Sequence, residues 1–335
     1  MTQTQSAISP LGRERSTAHP PPVHLSIVIP VYNGASTIGS LVDEIASLNP
    51  GYRLQLVLVN DGSLDATAEV CRSLVHRLAG IVTFVDLARN VGEHNAVMAG
   101  LAHTRGDLCV IMDDDFQNPP AEAFRLADAA VAHRRDIVFA GYPSKRHHWF
   151  RNLGSRLVNL LAQRLMHLPQ GLYLSSFKCL SRFVVDQILR YRGPFPYVDG
   201  LALRVSRDLE VVTVSHAPTR KERSGYTLTK LLHLLGAMLV NFSITPLRLA
   251  SLLGLCFSLL GFTGALMVLQ EKLSRPALPV GWPSLIVAVL LLSGVQLLIL
   301  GIIGEYLGQL CLSHNGTPQY VVRSVSEAPP PHGTG

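Results

Sequence analysis

"DLCVIMDDDFQNPPAEAFRLADAAVAH", residues 107–133, reads as one strand, one loop and one helix. The apolar run before Asp113 has the length of a buried strand, and the stretch from Pro119 onward repeats apolar residues at helical spacing. Between them stand Asp113, Asp114 and Asp115. Carboxylates at the end of a buried strand are costly unless something binds them. In an extended segment residues two apart face the same way, so Asp113 and Asp115 converge while Asp114 faces elsewhere. Two hard oxygen ligands with open positions suit Mg²⁺ or Mn²⁺ bridging a diphosphate. Helix capping accounts for Asn118 before Pro119, as an N-cap with proline at N1, but not for the aspartates or for Gln117.

The same unit repeats on either side. "LSIVIPV" is followed by the helical pattern "STIGSLVDEIASL", then "LQLVLVN", a helix near 64–78, "IVTFVDL", a helix near 92–104, the opening unit, and "DIVFAG". Short apolar strands alternating with amphipathic helices predict an α/β fold with a doubly wound, mostly parallel sheet. Such sheets bind ligands beyond the carboxyl ends of their strands. Polar residues gather there in "PVYNG", "NDGS", "LARNVG" and "DDDFQ". No GxGxxG follows the first strand and no GxxxxGK[ST] occurs, which argues against a glycine-cradled phosphate and for one held by carboxylates and a cation.

Hydrophobic residues make up 48% of the 335 and charged ones 16%, which is apolar for a soluble protein. The excess is local. No formal charge lies between Arg248 and Glu271 or between Arg275 and Glu305, and each run has the roughly 20 apolar residues of a membrane span. Spans are predicted at 249–270 and 284–306, with 231–247 as an interfacial helix, the whole forming a membrane domain over 231–310. Two buried core helices are the alternative. Residues 1–23 lack a continuous apolar core and read as a disordered tail, not a signal peptide. Residues 24–230 form the α/β domain and 311–335 a C-terminal tail.

Arg220, Lys221, Arg223, Lys230 and Arg248 precede the first span, against Lys272 and Arg275 in the turn. That bias puts the large domain and the tail in the cytoplasm. The net charge of +6 suits a protein against an anionic bilayer, and no basic and aromatic stripe points to nucleic acid. Residues 149–166 mix Arg151, Arg156 and Arg164 with an apolar stripe, as an interfacial or an ordinary surface helix would. Gly301, Gly304 and Gly308 line one side of the second span and permit close helix approach. The five cysteines are scattered without a CxxC pair, as reduced packing residues are. His147 and His148 are adjacent and make a poor metal pair.

"IPVYNG", "VNDGS", "LARNVGEHNAVMAGL" and "DDDFQNPP", in that order and followed by two apolar runs, resemble the family 2 glycosyltransferases that load sugars onto polyprenyl phosphates. The likeness runs from about residue 24 to 323. It implies the GT-A fold and a C-terminal two-helix transmembrane hairpin. It also implies a bacterial inner-membrane location and transfer of a sugar, with inversion, from a nucleoside diphosphate sugar to undecaprenyl phosphate. By the same resemblance Pro30, Tyr32 and Asn33 contact the nucleotide, Asp61 bonds its base, and Arg89 and Gly92 sit near the base and ribose. Asp113 and Asp115 are the outer aspartates of the family's DxD, with Gln117 as a further metal ligand. Arg151, Ser155, Arg220 and Tyr226 face the acceptor phosphate, and a homo-oligomer, a tetramer in the family, is implied.

Two departures stand out. "RKERSGYT" is one residue shorter than the family's phosphate-binding loop and lacks its glycine, and "GLYLSSFK" has Leu172 where some relatives carry an acid. A phosphate monoester acceptor, with a second pKa of about 6, needs no base to ionise it at pH 7. Asp199 is a spare acid, better suited to a structural role. The competing classes are a processive polysaccharide synthase, which generally carries a QxxRW motif absent here, and an inert membrane scaffold of the same fold.

Overall fold

The computed structural model describes residues 23–142, 175–193, 196–215, 245–274, 281–316 and 318–329. Four βα units open the chain. Strand β1 (His24–Val31) leads to α1 (Ile38–Leu48), β2 (Arg53–Asn60) to α2 (Thr67–Arg77), β3 (Val82–Leu87) to α3 (Glu93–Leu101) and β4 (Leu108–Ile111) to α4 (Pro120–His133). After β5 (Ile137–Gly141) come β6 (Lys178–Ser181), α5 (Arg182–Ile188), α6 (Val198–Val205) and β7 (Leu209–Thr213). Two long helices, α7 (Thr245–Ser274) and α8 (Trp282–His314), precede a last strand, β8 (Val322–Glu327).

The eight strands form one sheet in the order β7-β5-β6-β4-β1-β2-β3-β8. Pairs β1–β2, β1–β4, β2–β3 and β5–β7 are parallel, whereas β6 runs antiparallel to β4 and β5, and β8 antiparallel to β3. The mostly parallel α/β sheet is thus as expected. Alternation along the strands sorts the core onto two faces. Ile27, Ile29, Leu56, Leu58 and Phe84 pack under α1, α2 and α4 on one side. Val28, Val57, Val59 and Val85 pack against α3, α5 and α6 on the other.

Strand β8 is the main departure from expectation. Residues grouped by sequence with a C-terminal tail pair with β3 from Thr83↔Glu327 to Leu87↔Val322. Six residues with only modest alternation, beyond a 33-residue helix, leave no local signature of a strand. Asn118 is also corrected. Helix α4 starts at Pro120 with Pro119 at its N-cap, and the Asn118 carboxamide oxygen instead accepts a bond from the Tyr142 hydroxyl at 2.7 Å. All five cysteines are free. Cys71, Cys109 and Cys179 are buried in the sheet domain as packing residues, while Cys256 and Cys311 on the long helices are exposed.

Helices α7 and α8 cover the residues expected as spans, 249–270 and 284–306. Among the described residues one stretch, Leu292–Leu312, is by length and composition long and apolar enough to cross a membrane, and it lies toward the C-terminal side of the expected 284–306. The apolar part of α7, Ala250–Gly264, is shorter, because Ser258, Gly261, Thr263 and Gly264 dilute its hydropathy. The two helices touch where Gly254 faces Ile299. Residues 1–22 of the expected tail, 231–244 of the interfacial helix, and 149–166 lie outside the described residues.

Candidate active site

The carboxyl ends of β1, β2, β3 and β4 bring their loops together at one edge of the sheet. The β1 loop is laced to the β2 loop. Asn33, at φ 51°, donates its N–H to Ser63 Oγ at 3.0 Å, and its Oδ1 accepts from Leu64 N–H at 2.9 Å. Gly34 N–H bonds Thr67 Oγ1 at 2.9 Å. Tyr32 beside them is exposed, and Pro30, next to last in the strand, is half-buried. Asn33 therefore shapes the loop with its carboxamide, whatever it offers a ligand.

The buried Asp61 carboxylate ties the β2 end to the β3–α3 loop. Oδ1 accepts from Val91 N–H at 2.7 Å and Oδ2 from Gly92 N–H at 3.0 Å, while Asn90 Nδ2 bonds the Asp61 carbonyl at 3.1 Å. Burial raises its pKa, opposed by those two amides. Gly62 makes the close approach possible. It has φ 63°, and a Cβ there would stand 2.4 Å from Asn90 N and 2.6 Å from the Arg89 carbonyl carbon. Gly62→Ala should cost about 1–3 kcal/mol through strain alone. A thermal melt unchanged from wild type would contradict that packing. Gly92, at φ 87°, is the N-cap of α3, and Arg89 is exposed.

The three carboxylates after β4 have different partners. Asp114 is buried and turns toward the β1 loop, where a Cβ on Gly34 would lie 2.1 Å from its Oδ2. Asp113 accepts a 2.8 Å bond from Ser176 Oγ, and Asp115 Oδ1 accepts from Gln117 N–H at 3.0 Å. Burial, then the Asp115 charge, raise the Asp113 pKa against the Ser176 bond. Glu93, at the start of α3, is exposed to solvent along part of its side chain. Desolvation of its carboxyl by the surrounding loops, then the charges of Asp113, Asp199 and Asp115, nevertheless push it up to about 7, with Lys178 opposing. Asp113, Asp115 and Glu93 thus lie near enough to one another for their charges to interact at this strand end.

Among the described residues no group of three or more His, Cys, Asp or Glu could enclose a metal ion. Two carboxylates and the Gln117 carboxamide fit a hard divalent cation that keeps open positions for ligand oxygens, rather than a closed structural site.

Several residues at this edge carry no sequence signal of their function. Lys178 and Asp199 form a buried ion pair, with the Lys178 ammonium 5.9 Å from the Phe139 ring centre. Tyr197 hydrogen-bonds Asp199, and His94 packs edge-on against Tyr197 at 5.1 Å. A lysine inside the apolar strand "FKCL" was the available clue to a buried partner, but its identity depends on the fold. Arg151, Ser155, Arg220 and Tyr226 lie outside the described residues.

The chain matches the family description "Glycosyl transferase family 2" over residues 26–189. It is 35% identical over 319 residues to the undecaprenyl-phosphate 4-deoxy-4-formamido-L-arabinose transferase of Pseudomonas aeruginosa (strain LESB58), covering 93% of each chain. The protein of that name from Edwardsiella ictaluri (strain 93-146) is 33% identical, over 92% of this chain and 95% of its own. Among solved structures, glucosyl-3-phosphoglycerate synthase from Mycobacterium tuberculosis, with Mn²⁺, UDP-glucose and phosphoglyceric acid, aligns at a TM-score of 0.48 and 21% identity. That alignment covers 65% of this chain and 78% of the other. With relatives this similar along nearly their whole length, the chain belongs to glycosyl transferase family 2.

Proposed function

We propose that this protein is a membrane-bound, inverting glycosyltransferase that moves a sugar from a nucleoside diphosphate sugar to a polyprenyl phosphate. The observation that most supports this is the placement of Asp113 and Asp115 together on the loop that ends β4, at the same sheet edge as the Asp61-held loop. The relatives' names supply the acceptor class. Asp113, Asp115 and Gln117 would hold a divalent cation, Mg²⁺ or Mn²⁺, which when bound offsets the charge that builds on the departing nucleoside diphosphate. Pro30, Tyr32, Asn33, Asp61, Arg89 and Gly92 form the nucleotide side. Asp199 is already engaged by Lys178, which suits an acceptor that arrives ionised and asks no residue to take its proton.

The residues assigned to the acceptor belong to two segments of the sequence, 143–174 and the stretch after Ser215. Residues 143–174 leave after Tyr142 and return at Ser175, joined by a 3.2 Å contact between the Tyr142 hydroxyl and Ser175 Oγ, next to the Ser176 that bonds Asp113. The other segment leaves after Ser215, whose N–H and hydroxyl bond Glu122 Oε1 at 3.2 and 2.6 Å. Arg220 follows five residues later in the sequence. Arg suits phosphate because its fork bonds two oxygens. Arg151→Gln and Arg220→Gln should each lower kcat/KM for lipid phosphate about ten- to hundredfold, from the roughly 1.5–3 kcal/mol of a charge-assisted bond. Calorimetry should find nucleoside diphosphate affinity kept. The opposite pattern would move both arginines to the donor side.

Leu252, Leu255, Leu259 and Phe262 on α7, and Leu292, Leu297, Leu298 and Leu300 on α8, are exposed, an arrangement that suits lipid better than water. Because β8 completes the sheet that β1 begins, the chain between them crosses any bilayer an even number of times. We therefore place α7 and α8 as a two-span hairpin in the bacterial inner membrane, with the sheet domain and C-terminus cytoplasmic. A cysteine placed at Gly335 should resist an impermeant reagent applied to intact cells; labelling from outside would refute the hairpin.

A further inference from the structure

We propose that the segment after α8, residues 319–323, is a working part of the donor site, with Arg323 as a positioning residue for the loop at 88–92; this rests on the assignment of that loop to the nucleotide. The segment grips Ala88 on both of its backbone polar groups. Ala88 N–H bonds the Val321 carbonyl at 2.9 Å, and Arg323 Nη2 donates to the Ala88 carbonyl at 3.1 Å. Ala88 immediately precedes Arg89, and the far end of the same loop is held by Asp61 through Val91 and Gly92.

The register shows how Arg323 reaches there. Asp86 pairs with Ser324 and Leu87 with Val322, so Arg323 is the extra residue of a β-bulge. A bulge re-aims a side chain that a regular ladder would fix perpendicular to the sheet, and bulges are over-represented next to active sites. The rest of the segment is anchored independently. Tyr320 and Val322 pack against the buried cluster that Val91 also covers, and Gln319 Nε2 donates to the Tyr191 and Gly193 carbonyls at 3.0 and 2.8 Å. Gln319 stands only five residues beyond His314, the last residue of α8. The end of the apolar helix and the donor loop are therefore joined by a short, anchored strap, and the position of one bears on the other.

The opposite end of β8 gives the control. There Glu327 accepts from Thr83 Oγ1 at 3.0 Å and pairs with Arg105, remote from the loop. UDP and GDP are titrated by calorimetry with Mn²⁺ into the full chain in detergent, for wild type, Arg323→Gln, Arg323→Lys and Glu327→Gln. Arg323→Gln should weaken the bound nucleotide about three- to tenfold, Arg323→Lys should recover most of it because an ammonium also donates, and Glu327→Gln should leave it unchanged while lowering the melting temperature. Wild-type affinity in Arg323→Gln would overturn the proposal. So would equal weakening in Glu327→Gln, which would make the strand a support of the fold alone. If Arg323→Gln does not fold, the same comparison is made with Arg323→Lys, where a melt and an affinity falling together would also overturn it. A wild-type protein that takes up neither nucleotide would remove the donor-site assignment itself, and the proposal with it.

Discussion

Asp115→Ala should lower turnover by at least roughly a hundredfold and leave the protein folded. The side chain is half-buried on a loop, and its hydrogen bond goes to the Gln117 backbone N–H. Losing that bond frees one partly exposed donor, a small cost to stability. Losing the carboxylate removes half of the charge that would hold a cation against the diphosphate, an electrostatic contribution of several kcal/mol. Asp115→Asn separates these effects, since its carboxamide oxygen can still accept from Gln117 while the charge is gone. Both variants should melt near wild type and both should be inactive, and chelation of wild type should mimic them with recovery on adding Mg²⁺ or Mn²⁺. Full activity of Asp115→Ala in chelator would remove the metal from the mechanism.

Lys178→Met should be the most destabilising single change at the site. The ammonium is buried together with Asp199, and removing it strands an uncompensated carboxylate, at a cost of about 3–5 kcal/mol. The loss should come largely from that stranded charge rather than from lost packing, because Met fills most of the lysine stem's volume. The double variant Lys178→Met/Asp199→Leu should therefore regain most of the stability lost by the single one. Urea midpoints for the two single variants and the double decide it. A double variant no more stable than Lys178→Met would show that the pair matters through packing or through Tyr197 and not through charge.

The parts of this protein legible in its sequence are those whose signal is local. Strands β1 to β5 and helices α1 to α4 carry apolar runs and helical periodicity, and the cluster of carboxylates after β4 stands out in the chain on its own. What was hidden depends on contacts far apart in sequence. Strands β6 and β7 are short and each carries a charged residue, Lys178 and Glu210, among its few apolar ones, so neither stands out as β4 and β5 do. The β3–β8 pairing joins residues more than two hundred positions apart, so no window along the chain contains it. Asp61 reads as a turn aspartate before Gly62, yet both of its oxygens serve amides 30 and 31 residues away. Asn118 misled for the reverse reason. A good local capping signal lost to Tyr142, which the fold brings back across 24 residues, and to Pro119, which takes the N-cap itself.

The acceptor's charge is the most direct point of test. In the proposed site no carboxylate is needed to activate the attacking oxygen, and the arginines assigned to the acceptor are there for an anion. Purified protein with Mn²⁺ and a panel of nucleoside diphosphate sugars is offered undecaprenyl phosphate or the uncharged alcohol undecaprenol, and the lipids are weighed by mass spectrometry. One sugar of the panel should appear on the lipid phosphate, with one nucleoside diphosphate released per product and no product from the alcohol. Equal glycosylation of both lipids, or growth of a sugar polymer in place of a single addition, would contradict the account.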